Sequence, residues 1–170
     1  MRYWMLVSSP ANFEVSRARG FDLAGMKSRH RKKAEAVRAG DRVLFYLTGR
    51  QAFGGSATAT GPFFESHEPI WSSKKDGEEY PFRFPIRPDI ILEPDQFVAA
   101  ESLLPQLEWV KKWPPAHWHL AFQGNVHQLP EHDFATIEEA LRAAKGASAD
   151  EPARPAPLLV GQERGANTTL

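Results

Sequence analysis

Apolar runs in this chain are short, and Gly or Pro closes almost every one of them. Tyr3–Val7 runs into Ser8-Ser9-Pro10, Val43–Leu47 into Thr48-Gly49, and Ile90–Leu92 lies between Pro88 and Pro94. With 12 Gly and 14 Pro among 170 residues, most of the sequence cannot sustain a long helix. Short strands with interspersed short helices are what such punctuation allows. Few segments between strands are long and regular enough for parallel crossover units. The expectation is a small mixed α+β domain curled like an open barrel.

Specific segments follow from local chemistry. Tyr3–Val7 is a buried strand, and Ser8-Ser9-Pro10 offers a helix start, with Pro suited to the first turn. Residues 12–19 make a short helix closed by Gly20, residues 21–29 read as a loop, and residues 31–37 as a second short helix. Gly40-Asp41 turns the chain into a strand over 42–48. Residues 51–60, with Gly54-Gly55, form its antiparallel neighbour with a bulge or a close approach, and Phe63-Phe64 continue it. Residues 65–79 are a polar loop with Trp71 exposed. Residues 80–86 and 90–92 read as two strands, which Pro81, Pro85 and Pro88 restrict to edges or bulges. Residues 103–110 are helix-prone and 125–129 make a last strand. Pro130 opens a helix with Phe134, Ile137 and Leu141 on one face, ending near Gly146. One domain over 1–146 and a disordered tail over 147–170 complete the expected organisation.

Composition removes several function classes. Hydrophobic residues at 42% supply a core, and the absence of Cys excludes disulfides, zinc fingers and thiol chemistry. No run is long enough for a membrane span, and the first ten residues are too short for a signal peptide, so a soluble cytoplasmic protein is expected. The zero net charge hides an asymmetry. Residues 1–50 carry 11 Lys and Arg against 4 Asp and Glu, leaving 10 against 17 for the remainder. The basic excess between Arg17 and Arg38 is either a solvated helical face or a phosphate-facing patch.

No catalytic set emerges. His117-x-His119, with His127 and His132, lacks a complete first shell, so no metal is expected. Asp89, Glu108 and Lys111 suggest nuclease chemistry, but the spacing does not put Glu108 and Lys111 on one strand face. Gly54-Gly55 lacks the Lys-Ser/Thr of a phosphate loop. Aromatic residues near basic ones remain. A planar base needs π-faces, a few polar groups for its edge and cations for its phosphates. Trp71, between Pro69 and Ser72, and Trp113, beside Lys111-Lys112, are the loop aromatics placed for that.

The order of several short motifs resembles the EVE domain family. They are Tyr3-Trp4 through Ser8-Ser9-Pro10 with Asn12, the basic 31–32 segment before Gly40-Asp41-Arg42-Val43-Leu44-Phe45-Tyr46, Phe53-Gly54-Gly55 and Pro69-Ile70-Trp71. Lys112-Trp113-Pro114, Phe122-Gln123-Gly124-Asn125 and the acidic-capped last helix complete the set, over about residues 2–144. The resemblance implies a PUA-like open barrel, similar to YTH domains, without a cofactor. It implies a non-enzymatic module holding a modified base of DNA or RNA, such as 5-methylcytosine or N6-methyladenine, in an aromatic pocket. A nuclease or nucleotide-processing enzyme, or a small-ligand module, on a similar barrel is the alternative. By the same resemblance Ser8 and Asn12 are polar pocket groups and Trp71 is one wall. Leu23 stands where many family members have the other Trp, leaving Phe21 or Trp113 to supply that face. Arg29, Arg31, Lys32 and Gln123 are the nucleic-acid backbone contacts it implies.

Overall fold

The computed structural model describes residues 1–150, with side chains to residue 147. Eight strands form one curled mixed sheet in the order β2-β6-β4-β3-β1-β8. The strands are β1 (Tyr3–Ser8), β2 (Leu23–Met26), β3 (Arg42–Leu47), β4 (Ala52–Ala59), β5 (Phe64–Glu65), β6 (Phe82–Ile91), β7 (Val98–Ala99) and β8 (Val126–Leu129). β5 pairs with β6 and β7 with β4, off the main path. Three α-helices, α1 (Pro10–Ala18), α2 (Arg31–Ala36) and α3 (Glu131–Asp150), and several 3₁₀ turns pack around the sheet. This is the expected open α+β barrel.

Alternation along the strands divides the core between two sides of the sheet. Trp4, Leu6, Val43 and Phe45 join Phe13, Phe21, Met26 and Phe84 in one cluster. Met5, Val7, Leu44 and Tyr46 join Phe53, Trp109, Phe122, Phe134 and Ile137 in the other. Asn125 draws the two sheet ends together: its Oδ1 accepts from the Lys27 N–H just beyond β2 at 2.9 Å, and its carbonyl accepts from Val7 N–H in β1 at 2.8 Å.

Local chemistry explains most elements. Ser9 caps α1 by accepting the Asn12 N–H, with Pro10 in the first turn. Gly54-Gly55 is a close approach: a Cβ at 54 would lie 2.9 Å from the Phe13 ring and one at 55 would lie 2.6 Å from the Ile90 carbonyl oxygen. The Gly40-Asp41 turn is held by a buried carboxylate. Asp41 accepts from Arg2 N–H, Trp4 Nε1–H and Arg38 N–H at 2.9, 3.1 and 3.0 Å. Asp41→Asn would present an amide NH₂ to a cluster of donors. Chemical denaturation should show a loss of about 2 kcal/mol, the scale of buried polar groups left unpaired; an unchanged midpoint would show that water replaces the carboxylate.

Four segments differ from expectation. Residues 23–26 are a strand rather than loop, because β6 supplies the partner ladder that four residues with a Gly cannot signal alone. Within residues 80–92, Phe82–Ile91 form one ten-residue strand lying between β2 and β4, not two edge strands. Its Pro88 pairs with Ala57 where the register shifts between Ser56 and Ala57, so a bulge does absorb a proline. Phe64 belongs to β5 against β6 and does not extend β4. β1 and β3 pair in parallel, with β2 sent to the far end of the sheet between them, so no simple crossover unit forms. α3 passes Gly146 and runs to Asp150; the rest of the expected tail, residues 151–170, lies outside the described residues.

Candidate nucleic-acid interface

The C-terminal end of β1, helix α1, β2 and the 66–80 loop enclose a small aromatic cavity. Leu6, Phe13, Leu23, Phe45, Trp71 and Tyr80 form its apolar walls; Ser8, Asn12, Ser16 and Asn125 are its polar groups. Its volume is about 40 Å³, space for a few waters and far below a typical ligand pocket. It adjoins a wider groove of about 590 Å³ that shares Ser8, Asn12, Tyr80 and Asn125 and is bordered by Lys27, Lys74 and Lys75.

Trp71 is where it is because of a missing side chain. Gly25 of β2 and Arg83 of β6 are cross-strand partners, so their side chains would rise on one face of the sheet. Arg83 fills its half, and the indole lies over the empty half. A Cβ on Gly25 would sit 2.5 Å from Trp71 Cζ3. The Arg83 guanidinium lies 5.5 Å from the indole centroid, and the Tyr80 ring meets it edge-on at 6.0 Å. Two α1 side chains one turn apart hold the same loop. Ser16 Oγ accepts from Trp71 Nε1–H at 2.9 Å. The Asn12 amide makes a two-way clamp on Ser72, donating to its carbonyl at 2.8 Å and accepting from its N–H at 3.1 Å. Below, buried Arg83 donates to the Tyr80 carbonyl at 3.1 Å, to Ser66 Oγ at 3.2 Å and to the Glu68 carbonyl. Among the described residues no carboxylate lies within ion-pair distance of it, so its charge is met by two backbone carbonyls and a serine hydroxyl.

At the rim, Lys27 Nζ pairs with Glu78 at 2.8 Å and lies 5.6 Å from the Tyr80 centroid. Hydrogen bonds from Lys27 and then Ser73 pull the Glu78 carboxyl down to about 2. The loop is therefore fastened to β2 by charge as well as by packing.

Of the sequence-derived pocket residues, the fold brings together Ser8, Asn12, Leu23 and Trp71. Trp71 is half-buried and anchored rather than exposed on a polar loop. Phe21 is buried with positive φ, 5.0 Å from Phe13 and 5.7 Å from Phe45. It backs the cavity wall without lining it. Trp113 packs on the other side of the sheet, against the second core cluster, and contributes no face. Tyr80 supplies the second aromatic wall instead. Gln123 is exposed in an adjoining groove of about 300 Å³ that meets the first at Val7, Thr48 and Gly124. Arg29, Arg31 and Lys32 are exposed; Arg31 pairs with Glu35 at 3.0 Å. Ser16, Gly25, Tyr80, Arg83 and Asn125 escaped the residue-level reading. The spacing of Ser16 from Asn12 and the lone Gly in the 23–26 run were the available signals.

Asp89 is engaged by Arg42 and Thr58, and Glu108 by Lys111, two separate surface contacts. No group of three or more His, Asp or Glu among the described residues could hold a metal ion.

Residues 2–140 match the EVE domain model, and the chain belongs to that family. A UPF0310 protein of Pyrococcus abyssi is 29% identical over 149 residues, covering 83% of this chain and all of that protein. Among solved structures, the Mmi1 YTH domain in complex with RNA shares the fold at 9% identity. Its TM-score is 0.62, with 86% of this chain and 81% of that chain covered. An NMR structure from Rhodopseudomonas palustris superposes with TM-score 0.53 at 17% identity, covering 84% and 94%.

Proposed function

We propose that this protein is a non-enzymatic nucleic-acid binding module that receives one modified base, such as 5-methylcytosine or N6-methyladenine, flipped out of a DNA or RNA strand. The observation that carries the reading is the lysine-bordered groove leading to a cavity walled by Trp71 and Tyr80. Apolar walls suit an added methyl group, and the Ser8 and Ser16 hydroxyls keep hydrogen-bonding capacity for a base edge. The shared fold with a YTH domain solved with RNA supports the same class of ligand. Because the cavity is smaller than a base, the base enters as the Trp71 loop swings away from Gly25. Phosphate contacts then supply affinity, and the cavity supplies selectivity.

Matched oligonucleotides differing in one modification, titrated at several salt concentrations, test the reading. Log affinity should fall with log salt. Arg29→Ala or Lys32→Ala should shallow that slope by about one unit for modified and unmodified strands alike. Neither residue has a carboxylate partner among the described residues. Equal affinity for all strands would remove the modified-base reading, and cleavage of labelled strands with Mg²⁺ would turn it toward a nuclease.

A further inference from the structure

A cluster of imidazoles and cations lies beside the groove and is used by neither the cavity nor the loop clamps. The turn Ser28–His30 and helix α2 dock on the 124–127 segment. Lys27 N–H donates to Asn125 Oδ1 at 2.9 Å, and Lys33 Nζ donates to the Val126 carbonyl at 3.0 Å. The next residue, His127, donates from Nε2 to the Gln123 carbonyl and packs against Gly124, where a Cβ would lie 3.6 Å from that nitrogen. Gly124 borders both grooves. On the docked turn, Arg29 Nε–H donates to His30 Nε2 at 3.2 Å.

The charged groups facing His30 are Lys33, Arg29, His127 and Lys27, and those facing His127 include Lys33. Lys27 is already balanced by Glu78. Among the described residues, no carboxylate lies within ion-pair distance of Arg29 or Lys33. Like charges gathered without a counter-ion destabilise one another until an anion arrives.

We propose that Arg29, His30, Lys33 and His127 form a phosphate subsite at the rim of the groove, taking a phosphate of the strand whose base enters the cavity. This rests on the nucleic-acid reading above, and it adds a proton-linked step to it. Burial, then Lys33 and Arg29, hold free His30 down to about 4. Burial likewise holds His127 below its ordinary value, against the Gln123 carbonyl bond, which raises it. A phosphate offsets the surrounding positive field and restores the protonated imidazoles toward their ordinary 6.5 or so. His30 then takes a proton on Nε2, gives up its bond from Arg29, and both side chains become donors to the phosphate. Because the bound state holds more protons, affinity rises as pH falls through the bound-state value and levels off below the free-state value.

The probe is a ten-residue oligothymidylate, whose bases do not titrate between pH 5 and 7, at fixed ionic strength. NMR of the imidazoles of His30 and His127, with and without saturating oligonucleotide, reads the site directly. The His30 midpoint should rise by at least a full pH unit and that of His127 should move the same way, and below about 6.5 affinity should climb about tenfold per pH unit for each imidazole that gains a proton. His30→Gln with His127→Gln should flatten that dependence, and Lys33→Ala should weaken binding at every pH. Midpoints that stay fixed while the strand binds would overturn the subsite and leave the reader intact. Rising midpoints with no preference for any modified base would keep the subsite and remove the reader. If the oligonucleotide does not bind, titration with inorganic phosphate decides. Imidazole shifts would retain an anion site without a strand, and their absence would eliminate it.

Discussion

Trp71→Ala is expected to weaken binding to a strand bearing the preferred modification by about 5- to 150-fold. Base–aromatic stacking is worth roughly 1–3 kcal/mol, and each 1.4 kcal/mol is a factor of about ten. The unmodified strand should lose much less, because its phosphates still meet Arg29 and Lys32. The same substitution should cost about 2 kcal/mol of stability. An indole merely exposed on a polar loop would cost about 0.5 kcal/mol, but the structure adds the bond to Ser16, the contact with Gly25 and the Arg83 guanidinium. Full burial would cost roughly 3–5, and Trp71 is only half-buried. Ser16→Ala separates the two effects, since it removes the hydrogen bond and keeps the ring. Oligonucleotide titration and thermal unfolding on both variants decide the matter. Equal losses for modified and unmodified strands in Trp71→Ala would make the indole a structural residue.

Arg83→Met should cost about 3 kcal/mol or more and release the 66–80 loop. Methionine keeps much of the length and apolar volume but donates nothing. The Tyr80 and Glu68 carbonyls and Ser66 Oγ then lose a charged donor in a buried setting, where such bonds are worth roughly 1.5–3 kcal/mol each before relaxation. The loop also carries Trp71 and the Ser72 end of the Asn12 clamp, so its release opens the cavity. Hydrogen exchange should show faster exchange of the Ser72 amide, with the β1–β3 ladder still protected, and modified-strand selectivity should fall with it. Unchanged exchange at Ser72 would show that Asn12 and Ser16 hold the loop without Arg83.

The division between core and surface residues was legible because strand alternation is local. Tyr3–Val7 and Val43–Leu47 could be placed from their own composition. The Ser9-Pro10 helix start, the Gly54-Gly55 approach and the apolar face of Phe134, Ile137 and Leu141 were equally local. What short segments conceal is their partner. Residues 23–26 become a strand only against β6, and the proline-bearing 82–91 segment becomes an interior strand only because it bulges at Asp89, opposite Ser56 and Ala57 of β4.

The site divides along the same line. The resemblance to EVE domains implied Ser8, Asn12 and Trp71 as pocket residues, through motifs each contained in a few neighbouring positions, and Leu23 by its place after the first helix. Only the tertiary structure decided which aromatics share a cavity. Phe21 and Trp113 have the right chemistry, yet one is buried behind the wall and the other lies across the sheet. The pairing of Gly25 with Arg83 made the slot for the indole, and helical spacing turned Asn12 and Ser16 onto one loop. The placing of α2 beside His127 likewise depends on Lys33 reaching the Val126 carbonyl. Those contacts join residues distant in sequence, and their free energy exists only once the curled sheet has brought them together.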